Sequence, residues 1–105
     1  MAENLPPREL WPTRIYTLPE FATYPPRFNP TEELLDNAVA AGRGDRIAIL
    51  FEDQRITYAQ LLGQANKLGN TLRELGIRAG DRILLRSPNS PPAIVANFAV
   101  LHMGA

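Results

Sequence analysis

His102 is the chain's single histidine, so its imidazole is the sequence's only nitrogen ligand and proton carrier of that kind. A metal site needs further ligands, and the chain has no second histidine and no cysteine. Its place at the end of a helical run instead suits C-terminal capping, where a cation complements the helix dipole. Gly42 and Gly44 could open a phosphate-cradling loop, but Ile47 stands where the third glycine of the dinucleotide fingerprint should be. There is no G-x-x-x-x-G-K-S/T, no G-x-S-x-G around Ser87 or Ser90, and no H-E-x-x-H. Arg43-Gly44-Asp45 spells an adhesion tripeptide, yet a polar turn between helix and strand uses the same three residues. Asp81 and Arg82 read as turn chemistry before a strand.

Ser87-Pro88-Asn89-Ser90-Pro91 follows an apolar run and precedes a helix, the place where open α/β sheets bind ligands. Asn89 could aim its amide at a substrate, or it could form an Asx turn that stabilises the helix entry, and the turn is the reading preferred. No residue is assigned as catalytic, cofactor-binding or metal-binding.

The elements that would hold these residues are legible from periodicity and capping. Residues 1–28 carry six of the ten prolines, at Pro6, Pro7, Pro12, Pro19, Pro25 and Pro26, which breaks helix repeatedly. The same stretch holds Trp11, Tyr16, Phe21, Tyr24 and Phe28, five of the eight aromatic residues. That composition is unlike a solvated linker, so the rings are expected to dock on a surface. A helix is expected from Asn29, with Asn29 as cap, Pro30 in the first turn and Glu32 as the capping-box acid. Leu34, Leu35, Ala38 and Ala41 form its apolar face, and Gly42 closes it.

Ile47-Ala48-Ile49-Leu50-Phe51 reads as a buried strand, turned by residues 52–55 into a short partner near Ile56. Thr57 caps the next helix, Gln60 completes the capping box, and Ile56 with Leu61 forms the hydrophobic staple. Tyr58, Leu61, Leu62, Ala65, Leu68, Leu72 and Leu75 trace its buried face, and Gly76 ends it. After a turn at Ala79-Gly80-Asp81, Ile83-Leu84-Leu85 is expected to form a second apolar strand, joined to residues 47–51 in one sheet by a right-handed crossover. Ser90 and Pro91 open the closing helix. Its segment from Ile94 to Leu101 is apolar around the whole circumference yet too short to span a bilayer, which predicts burial on all sides. The chain is therefore expected to begin something larger.

The fold class that follows is α/β, with helices packed on short strands. Residues 1–28 form a proline- and aromatic-rich arm, and residues 29–105 the incomplete start of a domain. Eleven basic and eleven acidic residues cancel, so the field that nucleic acid or an anionic membrane would require is missing, and neither is an expected partner. Without cysteine or the basic and apolar regions of a signal peptide, a cytoplasmic location is expected.

Taken together, Gly44-Asp45-Arg46-Ile47-Ala48-Ile49, Thr57-Tyr58-Ala59-Gln60-Leu61, Ala65-Asn66-Lys67-Leu68, Leu75-Gly76-Ile77, Gly80-Asp81-Arg82-Ile83 and Pro88-Asn89-Ser90 resemble the opening of the adenylate-forming superfamily of acyl-CoA synthetases. The resemblance covers residues 29–105, where Leu101-His102-Met103-Gly104-Ala105 is similar to the family's lysine-alanine-glycine-alanine stop before its next strand. Gln60 replaces an acidic residue of the pattern, and His102-Met103 replace lysine-alanine. The arm's Asn4-Leu5-Pro6-Pro7-Arg8-Glu9-Leu10-Trp11-Pro12, followed by Glu33-Leu34-Leu35-Asp36, is similar to the start of benzoate-CoA and 2-aminobenzoate-CoA ligases.

The resemblance implies the large N-terminal domain of an ATP-dependent, AMP-forming acid–thiol ligase. Such an enzyme activates an aromatic carboxylate as an acyl-adenylate and transfers it to CoA. It implies ATP, Mg2+ and CoA for the full-length enzyme and none on these residues, because the family's phosphate loop, magnesium carboxylate and lysine lie beyond the point matching Ala105. The partner it implies is the remainder of the same polypeptide, and a homo-oligomer remains open. A second class fits the same oily surface: an independent α/β interaction module that dimerises or binds a partner through its apolar C-terminal helix.

Overall fold

In the computed structural model, residues 6–13, 15–23, 25 and 27–105 are described. Residues 1–5, Arg14, Tyr24 and Pro26 lie outside them, and with these fall the docking expected of Tyr24 and the first residues of the ligase-like leader. The elements are a helical run α1 (residues 30–43), strands β1 (Ile47–Phe51) and β2 (Gln54–Thr57), and helices α2 (Tyr58–Glu74) and α3 (Pro91–Met103). Short 3-10 turns at Arg8–Leu10 and Pro19–Thr23 precede them. The architecture is α/β, as the pattern of elements predicts.

α2 has the start its sequence predicts. Gln60 N donates to Thr57 Oγ1 at 3.2 Å and Thr57 N donates to Gln60 Oε1 at 3.0 Å, the reciprocal capping box. At its end, Gly76 takes φ 94°, with Gly76 N donating to Arg73 O at 3.0 Å and Ile77 N to Leu72 O at 3.1 Å. This is the Schellman arrangement that satisfies otherwise unpaired carbonyls, and it needs a residue without Cβ strain. α3 ends the same way at Gly104, φ 73°, with Gly104 N bonded to Leu101 O and Ala105 N to Val100 O.

Asn29 caps α1 as expected, its Oδ1 accepting from Thr31 N at 3.0 Å. Glu32 does not return to complete a box among the described residues. α1 departs from regular α geometry: residues Glu32–Asp36 and Val39–Arg43 wind as π-turns, and Gly42 kinks the run at φ 76°. The wider winding alters which residues share a face. Leu35 and Ala38 are buried as expected, but Leu34 and Ala41 are exposed.

β1 and β2 pair antiparallel with Phe51 opposite Gln54 and Ile49 opposite Ile56, and the register shifts between Ile47 and Ile49. The connection holds Glu52 at φ 50°, a left-handed conformation that a residue with a Cβ adopts at a cost. The expected second strand is not formed. Residues 83–85 make no backbone ladder, and among the described residues the sheet contains β1 and β2 alone, so the crossover unit expected between residues 47–51 and 83–85 is corrected. The reason is local: with no neighbouring strand to share hydrogen bonds, an apolar run gains nothing from strand geometry.

The core gathers Leu35 from α1, Ile49 from β1, Leu61 from α2 and Val95 from α3. Ile56, Tyr58, Leu62, Leu68 and Phe98 pack against it. α2 and α3 approach closely through small residues: Ala65, Gly69 and Ala99 are all buried, and a Cβ on Gly69 would lie 3.7 Å from Met103 Cγ. Leu75, expected on the buried face of α2, is 75% exposed because the helix has by then run past α3's coverage. The contacts of Trp11, Tyr16 and Phe21 lie within the arm and not on the body as expected, whereas Phe28 lines a cavity with Glu32, Glu33 and Asn37 of α1. Trp11 Nε1 donates to Pro6 O at 2.7 Å beneath the Arg8 guanidinium, and Tyr16 pairs with Phe21 at 5.7 Å between centroids. Trp11 is held by Pro6 and Arg8, Tyr16 and Phe21 by each other, and all three remain exposed.

Truncating Leu61 to alanine is expected to cost about 2–5 kcal/mol of folding stability, read as a lower urea midpoint. Glu52→Asn is expected to raise the thermal midpoint, by relieving about 1 kcal/mol or less of left-handed strain.

Candidate functional site

The loop at residues 87–91 delivers the chain into α3, and its polar groups are turned inward on the loop itself. Ser87 Oγ donates to Pro88 O at 3.1 Å and Ser90 Oγ to the same carbonyl at 3.3 Å. Helix N-termini bind anions through unpaired backbone N–H groups. Here Pro91 and Pro92 carry none, while Ala93 N and Ile94 N both donate to Ser90 O, at 3.0 and 3.3 Å. The start of α3 is closed to phosphate. Asn89 is exposed and its amide has no hydrogen-bond partner among the described residues, so the expected Asx turn is replaced by the two serine hydroxyls.

The start of α2 is closed by a different device. Tyr58 N donates to Arg46 O at 3.0 Å and Ala59 N to Gly44 O at 3.0 Å, while the next amide takes the Thr57 hydroxyl. Gly44 therefore points a carbonyl at a helix start, the opposite polarity to a phosphate cradle, and a Cβ on it would stand 3.4 Å from Ala59 Cβ. Arg43-Gly44-Asp45 lies in a turn between α1 and β1, with Arg46 N bonded to Arg43 O. Asp81 is likewise occupied in a turn, its Oδ2 accepting from Arg78 N at 2.7 Å.

His102 sits in the last turn of α3 with Nε2 3.8 Å from Asp36 Oδ2, both side chains about a third exposed. The described residues contain no group of three His, Cys, Asp or Glu side chains able to hold a metal ion. No helix among them is long and apolar enough to cross a membrane. Asn29 and Thr31 act across the molecule, which no motif signals. Asn29 Nδ2 donates to His102 O at 3.0 Å, and Thr31 Oγ1 to Phe98 O at 2.9 Å. Their partners are 73 and 67 residues distant, so no local pattern signals them.

A profile for AMP-binding enzymes matches residues 36–105, most of the described body. The chain belongs to the AMP-binding enzyme family. It is 43% identical over 84 residues to an acetyl-coenzyme A synthetase of Streptomyces avermitilis, an alignment covering 75% of this chain and 13% of the relative. Over 82 residues it is 42% identical to the acetyl-coenzyme A synthetase of Burkholderia thailandensis, covering 73% of this chain and 12% of that protein. The acetyl-coenzyme A synthetase of Burkholderia mallei is 39% identical over a similar span. The chain thus spans about an eighth of the length of these relatives.

Within this part of an AMP-binding enzyme, the concavity of most interest is apolar. Ile49, Leu50 and Phe51 of β1, Leu85, and Ala93 and Ile94 of α3 line an open groove of about 470 Å³, with Asn89, Ser90 and Asn97 at its polar margin. α3 is accordingly not enclosed on all sides as its composition predicts: Val95, Ala99 and Val100 are buried, but Ile94 is 36% exposed toward this groove. The groove offers shape and apolar surface, and no charged side chain lines it.

Magnesium ATP titrated into the 105-residue chain in a calorimeter is expected to give no saturable heat up to about 1 mM, the weak limit of measurable binding. The ground is that the starts of both α2 and α3 are internally satisfied.

Proposed function

We propose that residues 29–105 are the opening scaffold of the adenylation domain of an AMP-forming acid–thiol ligase, and that the whole enzyme converts a carboxylic acid, ATP and CoA to acyl-CoA, AMP and pyrophosphate. The observation that carries this is the family match across residues 36–105, together with 43% and 42% identity to two acetyl-coenzyme A synthetases. ATP, Mg2+ and CoA are cofactors of the whole enzyme in this reading. The residues present do not fit them: the described residues hold no three-carboxylate or histidine cluster, and the starts of both α2 and α3 present no free amides. The part played here is therefore structural, and a cytoplasmic location belongs to the same proposal.

The acid itself has two candidates. The similarity of the arm and of residues 33–36 to benzoate-CoA and 2-aminobenzoate-CoA ligases favours an aromatic acid. The names of the relatives favour acetate. The body is similar to the relatives over most of its length, whereas the leader has only the shorter likeness, so the acid is decided by the enzyme rather than by these residues.

The test is a chimera in which residues 1–105 replace the matching span of the Streptomyces avermitilis relative, assayed by CoA-thioester formation with acetate and with benzoate. Activity of the chimera with either acid, and none from the 105-residue chain alone, is the expected result. Thioester formation by the isolated chain, or an inactive chimera that is folded, overturns the proposal.

A further inference from the structure

Asn89 carries a carboxamide that nothing holds among the described residues. It is exposed, its amide makes no hydrogen bond, and residues 82–89 make no backbone–backbone hydrogen bond. Ser90 follows, with an N–H that donates to no acceptor among the described residues and an extended backbone at φ −159°. An asparagine carboxamide carbon is an electrophile, and the next backbone nitrogen is the nucleophile that can reach it by closing a five-membered ring. The two meet readily when the following side chain is small, the backbone nitrogen is unbonded and the amide is free to turn. Asn89-Ser90 meets all three conditions.

The other asparagines of the described residues do not. Asn29 precedes Pro30, whose ring nitrogen has no proton to lose, and its amide is engaged by both Thr31 N and His102 O. Asn37, Asn66, Asn70 and Asn97 lie inside α1, α2 and α3, where the following nitrogen belongs to a helical ladder. Asn37 is tied further, its Nδ2 donating to Glu33 Oε2 at 2.8 Å. Attack at any of these four requires the helix to open first, and opening costs free energy.

We propose that Asn89 is a self-modification site, at which the Ser90 nitrogen closes on the side-chain amide and the asparagine becomes an acid. The Ser90 N–H gives its proton to hydroxide, a bond forms between Ser90 N and Asn89 Cγ, and the Cγ–Nδ2 bond breaks to release ammonia. Water then opens the imide. Opening at Cγ leaves aspartate in an ordinary backbone, whereas opening at the main-chain carbonyl carbon leaves isoaspartate, with the chain running through Cγ. Water is the only co-reactant, and nothing is oxidised or reduced. The product places a carboxylate at the margin of a groove that no charged side chain lines, so the step changes the character of that face in one direction only. It holds independently of the ligase reading.

Peptide mapping by mass spectrometry tests it on the folded 105-residue chain held at mildly alkaline pH. The peptide that follows Arg86 contains both Asn89 and Asn97, so it is fragmented to tell them apart. Residue 89 is expected to exchange NH for O in mass, as a mixture of aspartate and isoaspartate, at a rate proportional to hydroxide. Conversion there is expected to run about tenfold or more ahead of every asparagine inside a helix, since those must wait for local opening. Ser90→Thr keeps a hydroxyl before α3 but branches the side chain at Cβ, and is expected to slow the conversion several-fold. Asn89→Gln alters only an exposed side chain, would need a six-membered ring, and is expected to abolish it. Aspartate without isoaspartate overturns the proposal, because it signals direct hydrolysis of the amide. An unchanged rate in the folded Ser90→Thr variant, or equal conversion at Asn37, Asn66, Asn70 or Asn97, overturns it as well.

Discussion

The side chain of Thr31 is fully buried, and its hydroxyl reaches Phe98 O in the middle of α3, while Asn29 reaches His102 O one turn later. A buried polar group must be hydrogen-bonded or it costs about 1–3 kcal/mol, so this contact holds α1 at one depth and one rotation on α3. The rest of the core follows from that placement. Leu35, one turn beyond Thr31, then enters the gap between β1, α2 and α3, where Ile49, Leu61 and Val95 meet it. Asp36 comes within 3.8 Å of His102 by the same geometry. Asn29 does double duty, since its carbonyl oxygen caps α1 and its amide nitrogen ties α1 to a helix 73 residues away.

The helix termini of this body consume their own backbone polarity. Two helix starts that could have held an anion are satisfied by Gly44, Arg46, Thr57 and Ser90, or lack donors at Pro91 and Pro92. Two helix ends are closed by Gly76 and Gly104 in left-handed turns. Helix termini satisfied in this way suit a scaffold and leave little with which to bind a phosphate. Apolar surface stays uncovered as well: Leu50, Leu84 and Ile94 face outward although each would be worth roughly 1.5–3 kcal/mol if fully buried.

Local chemistry accounts for what was legible in the sequence. Thr57 with Gln60, Asn29 with Pro30, and Gly76 act over a few residues, so their roles can be read without knowing the fold, and the structure contains all of them. The hairpin from Ile47 to Thr57 is equally local. The failures are those that depend on distant partners. Ile83-Leu84-Leu85 has strand composition but no neighbour, Leu34 turns outward because α1 is wound wide, and Leu75 lies beyond the reach of α3. For the candidate site, the missing third glycine argues against a phosphate loop at Gly42 and Gly44, whereas the differing roles of Ser87, Ser90 and Asn89 depend on loop geometry that composition does not encode.

A two-stranded antiparallel pair is marginal in water without something packed on it. Here α1, α2 and α3 supply that layer through Leu35, Leu61 and Val95, all against Ile49 on one face of β1. The other face of β1 carries Leu50, 70% exposed, and the groove with Leu85 and Ile94 is lined by Ile49, Leu50 and Phe51 together. Side chains alternate along a strand, so nothing the helices do can cover Leu50 and Ile49 together. The imbalance is built into the strand itself: Ile47-Ala48-Ile49-Leu50-Phe51 is apolar at every position, whereas a sheet with one wet face would alternate. The sequence of β1 and that of residues 83–85 therefore make the same demand for a second layer, independently of one another. Leu50 of β1, Leu85 and Ile94 of α3 line one groove.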